Sequence, residues 1–131
     1  MMVFVPRITW FVAVGCAAAA IHFATVVALV AWFDAAPLLA NVGGWLLALV
    51  VSFTGHSRLT FRASNAPFGR AARRFVLVSA IGFAINEAAY AVLLRWAGWN
   101  FAVLLAIVLL GVAVLTYWLS RHWAFLSSPA P

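Results

Sequence analysis

Ser52-Phe-Thr-Gly-His-Ser-Arg-Leu-Thr-Phe-Arg62 is where a long apolar run gives way to aromatic, polar and basic residues. The stretch has an echo near the far end of the chain, Thr116-Tyr-Trp-Leu-Ser-Arg-His-Trp-Ala-Phe125. Ser52 and Thr116, Phe53 and Tyr117, and Phe61 and Phe125 are each 64 positions apart. Both copies end a hydrophobic segment with an aromatic, a short polar group containing Arg and His, and a closing Phe. This is how a helix leaves a bilayer at a surface that carries negative charge.

Composition identifies the solvent. The chain has 131 residues, enough for one domain, and is 68% hydrophobic and 8% charged. Soluble domains average about 45–50% apolar and about 25% charged, and a domain this small has too little interior to hide the excess. The surroundings must therefore be lipid. All eight basic residues are arginine, against two acids, for a formal net charge of +6. Because the arginines lie at the ends of apolar runs, anionic membrane lipids are the expected partners and nucleic acid is not. Cys16 has no second cysteine to pair with and reads as a small packing residue.

Four spans follow in order. Ile8–Phe33 carries no charge and exceeds the roughly 20 residues that cross a bilayer. Ala18-Ala-Ala20 is suggestive of a cleavage site, but the apolar run continues past it, so the span is read as uncleaved. Asp34-Ala-Ala-Pro37 forms a turn, with Pro suited to a helix start, and a second span covers about 38–54. Residues 62–74 read as one basic hydrophilic loop. A third span covers about 75–94, with Asn86 and Glu87 interrupting its apolar character; Gly98-Trp99-Asn100 turns the chain, and a fourth span covers about 101–119.

The 64-residue offset extends beyond the closing motifs. Phe11 pairs with Phe75, His22 with Asn86, and Trp32 with Trp96. Fixed-period similarity of this kind marks a duplicated unit. Each unit contains two spans and returns to the face where it began, so the units are parallel, related about the membrane normal. The expected fold is an all-α membrane protein, with four transmembrane helices as two parallel repeats of a helical hairpin. It forms a single domain over 1–131, with repeat 1 at about 7–61, the basic loop at 62–74 and repeat 2 at about 75–125. Seven arginines fall on one side of this arrangement and only Arg95 on the other, which by the positive-inside rule places both termini and the central loop in the cytoplasm. The expected location is the inner (cytoplasmic) membrane.

Glu87 is the most informative single residue. A carboxyl within a span costs about 2.5–3.5 kcal/mol by insertion scales, and it lies roughly 20 Å along the helix from Arg74 and roughly 12 Å from Arg95. Such a group is either proton-linked, sugar-binding or a structural partner of His22 or Asn41. Gly15, Ala18, Ala19 and His22 share one helical face, as do Ser79, Gly82 and Asn86, with Tyr90 a turn further on. His22, Asn41, Asn86, Glu87 and Tyr90 are the candidate lining of a polar groove. Arg58, Arg62, Arg74 and Arg121, with His56 and His122, are the candidate phosphate or headgroup site, since guanidinium grips phosphate in a fork. No Walker loop, nucleophile elbow, paired metal ligands or acidic pair for a metal-bound nucleotide occurs. No catalytic residue, metal or cofactor is expected, and the chain does not read as an enzyme.

Between about Arg7 and Phe125 the chain resembles the GtrA-like family of small four-span membrane proteins. The resemblance rests on Trp10-Phe11 followed by Gly15, on Ser52-Phe53, His56-Ser57-Arg58 and Leu59-Thr60-Phe61-Arg62, and on their second copies at Arg74-Phe75, Tyr117, Ser120-Arg121-His122 and Trp123-Ala-Phe125. Ser52 replaces the usual Asn, Leu59 the usual aromatic, and His22 a frequent acid. The resemblance implies movement of polyprenyl-phosphate-linked sugars across the cytoplasmic membrane for cell-surface polysaccharide synthesis, or support of the enzymes that use them. A flippase for such a lipid is the leading expectation, working as a homo-oligomer because four spans enclose little space. The alternatives are a non-transporting anchor that recruits a glycosyltransferase partner and a small proton-coupled exporter.

Overall fold

The computed structural model describes residues 6–60 and 67–119, and side chains within 6–59 and 67–115. Four helices account for nearly all of them: α1 (Arg7–Phe33), α2 (Pro37–Gly55), α3 (Phe68–Trp96) and α4 (Phe101–Leu119). A π-helical turn, His56–Thr60, continues α2. Three segments, Arg7–Phe33, Pro37–Leu59 and Phe68–Trp96, are long and apolar enough to cross a membrane, and α4 is a shorter apolar helix. The chain is thus an all-helical membrane protein with four helices running alternately up and down. Each helix packs on two others, α1 on α2 and α4, and α3 on α2 and α4.

The two short connections repeat each other in detail. Asp34 closes α1 in the left-handed conformation at φ 55°, and Gly98, 64 positions later, does so after α3 at φ 63°. Pro37 and Phe101, again 64 apart, begin the returning helices. Burial has the same period. Ala40 and Leu104, Asn41 and Leu105, Gly44 and Val108, His22 and Asn86, and Val26 and Tyr90 are all buried. Most of this shared core (Val26, Ala40, Tyr90, Leu104, Leu105 and Val108) lies toward the end of the bundle that carries the short turns.

From mid-bundle to the opposite, basic end the two hairpins differ. α1 and α2 stay in close contact: a Cβ on Gly44 would lie 2.7 Å from His22 Cδ2 and 2.8 Å from the His22 carbonyl oxygen. A Cβ on Gly55 would lie 2.8 Å from Val14 Cγ1. In the second hairpin no residue of α3 before Asn86 is buried, and added methyls at Gly82 and Gly111 would meet nothing within 4 Å.

One boundary differs from the sequence expectation. α3 begins at Phe68, seven residues before Phe75, so Arg70, Arg73 and Arg74 lie on the helix and not in a loop running to residue 74. Hydrophilicity suggested loop, but Ala and Arg are strong helix formers. Pro67, with φ −56° and ψ 132°, supplies the non-helical residue that starts the first turn. Phe68 and Phe75, two turns apart on one face, both pack on Phe53 of α2, with ring centroids 5.4 and 5.5 Å away.

Candidate functional site

Four of the five candidate groove residues meet in one hydrogen-bonded cluster. His22 of α1 lies 2.7 Å (Nε2 to Oδ1) from Asn41 of α2. Asn41 Nδ2 donates to Asn86 Oδ1 at 2.9 Å and to Glu87 Oε2 at 2.6 Å, both on α3. Since both amide hydrogens of Asn41 go to oxygens, its carbonyl is the group facing His22, and His22 Nε2 must carry a hydrogen to donate. His22, Asn41 and Asn86 are buried and Glu87 is half-buried. Among the described residues no buried side-chain nitrogen or oxygen lacks a partner. Asn41 is therefore the hub: one side chain of α2 holds a residue of α1 and two of α3.

Helical geometry explains the convergence. Asn41 is flanked on its helix by Ala40, Gly44 and Ala48, all buried, and this small-residue face lets α1 approach until His22 touches the backbone at Gly44. Such close backbone approach is what small residues permit where lipid, not water, surrounds the bundle. Asn86 and Glu87 are consecutive, so their side chains diverge by about 100° around α3; Asn86 points to the interior and Glu87 to its margin.

Tyr90 stands apart from this group. Its ring is fully buried, but its hydroxyl donates to the Phe101 carbonyl at 3.1 Å, tying α3 to the start of α4. Grouped above with the groove residues, it belongs by contact to the core at the turn end. His56 is similarly displaced from its expected place. It is 7% exposed, its ring 5.0 Å from Phe11 and 6.1 Å from Phe75 between centroids, so it packs between the two repeat-related phenylalanines and is not displayed at the surface with the arginines. Gly55, against Val14 of α1, immediately precedes it, and His56 opens the π-helical turn.

Arg58 and Arg74 are exposed, the first on the π-helical turn and the second in α3, at the same end of the bundle as Arg7, Arg70 and Arg73. Arg62, Arg121 and His122 lie outside the described residues. Arg95 is at the other end, its guanidinium carbon 5.7 Å from the Trp96 ring centroid. The site also contains a contact that the sequence reading missed. Trp45, one turn beyond Asn41, donates its indole N–H to Ser79 Oγ at 2.9 Å and stacks on Phe83 at 4.7 Å and 13°. The signal was present in part: Ser79 shares the Asn86 face of α3, and Trp45 shares the Asn41 face of α2 at a spacing of four.

The arrangement can hold hydrogen-bonding groups within a bilayer, and it presents a cationic rim at one end. No group of three or more metal-ligating side chains occurs among the described residues. The GtrA/DPMS transmembrane-domain model matches residues 10–125. Neither a curated protein nor a solved structure matches the chain.

Proposed function

The chain belongs to the GtrA/DPMS transmembrane-domain family, and from that premise we propose that it translocates a polyprenyl-phosphate-linked sugar across the cytoplasmic membrane. Family membership supports a role connected with polyprenyl-phosphate sugars at the membrane. The observation that carries the finer reading is the His22–Asn41–Asn86–Glu87 cluster, polar side chains turned toward one another inside a lipid-embedded bundle. A sugar needs donors and acceptors to replace water during passage, and these are the groups the interior holds. The exposed guanidinium groups of Arg58 and Arg74 suit capture of the phosphate, while the isoprenoid stays in acyl chains. Phosphate and sugar are thereby recognised at different depths. The protein acts without catalysing bond formation, and a homo-oligomer encloses the path.

Purified protein in proteoliposomes tests this directly. Wild type should move a polyprenyl-phosphate sugar between leaflets, and Arg58→Gln combined with Arg121→Gln should slow transfer about tenfold or more. Absence of transfer by wild type against several sugar headgroups would end the transport reading.

A second reading is favoured by one observation: the buried polar groups already satisfy each other. That suits a membrane anchor for a glycosyltransferase, in which the cluster only holds helices together. Under this reading, changes in Arg70, Arg73 and Arg74 would release a co-purifying enzyme, and Glu87→Gln would leave function intact.

A further inference from the structure

The cluster joins the only acid on the described helices to an imidazole through a single amide. Asp34, the other acid of the chain, sits in the turn after α1. The polar groups gathered with Glu87 come from three helices: His22 of α1, Asn41 of α2, and Asn86 on α3 itself. α4 contributes no titratable side chain between Phe101 and Leu115. The arginines of the described helices are at their ends, so within the span only His22 can offset a carboxylate.

An uncompensated charge in the bilayer interior is strongly disfavoured, and this cluster would be neutral with one proton beyond those in its hydrogen bonds. That proton sits either on Glu87, giving a neutral acid, or on His22 Nδ1, giving an imidazolium opposite a carboxylate. In both forms Asn41 keeps the same direction of hydrogen bonding, accepting from Nε2 and donating to Oε2. We propose that His22 and Glu87, coupled through Asn41, bind a single proton as one unit, and that this proton is taken up when an anionic headgroup enters the bundle. The inference rests on the translocation reading for its second half. A phosphate that approaches a bare Glu87 meets a like charge, and one that approaches the protonated pair does not. Each chain has one such site, because Leu105 occupies the position that corresponds to Asn41 in the second repeat.

Infrared titration of the protein in nanodiscs free of polyprenyl lipid tests the shared site. In wild type the Glu87 carboxyl band and the His22 ring bands should change together in one step, and Glu87→Gln should remove the carboxyl band. Asn41→Leu should split the step in two. His22→Gln keeps a donor toward Asn41 and serves where Asn41→Leu fails to fold; it should change the proton affinity of the carboxyl by about tenfold or more. Independent titration of the two groups in wild type, or no titration of either, overturns the site. The second arm, run at a pH above the midpoint of that step so that the pair starts without its proton, adds a long-chain polyprenyl phosphate to weakly buffered protein with a pH indicator. Uptake of close to one proton per chain is expected, and none with the uncharged polyprenol. Binding of the phosphate lipid without uptake overturns the linkage and leaves translocation standing. If the lipid neither binds nor crosses, translocation fails and the infrared result alone decides the shared site.

Discussion

Asn41 commits both amide hydrogens to α3 and its carbonyl oxygen to α1, so its removal leaves three polar neighbours without that partner. Interhelical hydrogen bonds in membrane proteins average about 0.6 kcal/mol each, whereas an orphaned buried polar group costs about 1–3 kcal/mol. Asn41→Leu should therefore destabilise the protein by about 2–3 kcal/mol. Trp45→Phe keeps an aromatic ring against Phe83, loses a single bond to Ser79, and should cost only about 0.6 kcal/mol. Reversible unfolding in bicelles measures both, and equal losses would show that Asn41 is no hub. Asp34 has the opposite sign. It is held at φ 55°, where an L side chain is disfavoured by roughly 1 kcal/mol, and its repeat partner is already glycine. Asp34→Gly should raise stability by about 0.5–1 kcal/mol in the same assay.

The two helical hairpins share a 64-residue period but pack to different degrees. Gly44 has no room for a methyl, with His22 and Val26 both within 2.8 Å of where it would be, whereas Gly111 has nothing within 4 Å. Gly44→Ala should cost about 1–3 kcal/mol through overpacking against a backbone oxygen that cannot swing away. Gly111→Ala should be neutral or stabilising by up to about 1 kcal/mol, the ordinary helix preference. If both substitutions behave alike under thermal unfolding, the difference in closure between the hairpins is absent in the membrane. Much of this level was legible in the sequence. The offset that relates Phe53 to Tyr117 also relates the left-handed residues Asp34 and Gly98 and the helix starts Pro37 and Phe101. The start of α3 was not, because the charges of Arg70, Arg73 and Arg74 suggest water although their backbones favour helix. The packing of His56 between Phe11 and Phe75 was also hidden. A histidine two residues before an arginine looks exposed, and only the contacts of its ring with Phe11 and Phe75 show otherwise. Asn41, Asn86 and Glu87 were legible as isolated polar residues, but their meeting at one amide depends on helix rotation, which periodicity in so apolar a chain defines poorly.

For the molecule as a whole, the distribution of charge predicts which way it sits. Arg7, Arg58, Arg70, Arg73 and Arg74 are at the end of the bundle opposite the two short turns, and Arg95 stands at the turn end. Arginine is retained on the cytoplasmic side during insertion, and the bias counts most within about 15–20 residues of a span, which includes every one of these positions. The turns at Asp34 and Gly98 should therefore face outward. Cys16, the only cysteine, is replaced by alanine, and single cysteines are placed at Ala36 in the first turn and at Ser57 on the π-helical turn, both exposed positions. In intact cells a membrane-impermeant maleimide should label Ala36→Cys and reach Ser57→Cys only after lysis; the reverse pattern would place the basic rim outside and remove it from any phosphate supplied by the cytoplasm. The cause is tested in the same background. With Arg58, Arg70, Arg73 and Arg74 all changed to glutamine, the positive excess at that end is much reduced while Arg95 remains, and labelling of Ala36→Cys should become mixed. Unchanged labelling would mean that the spans themselves, and not their flanking charges, set the direction in which this bundle faces.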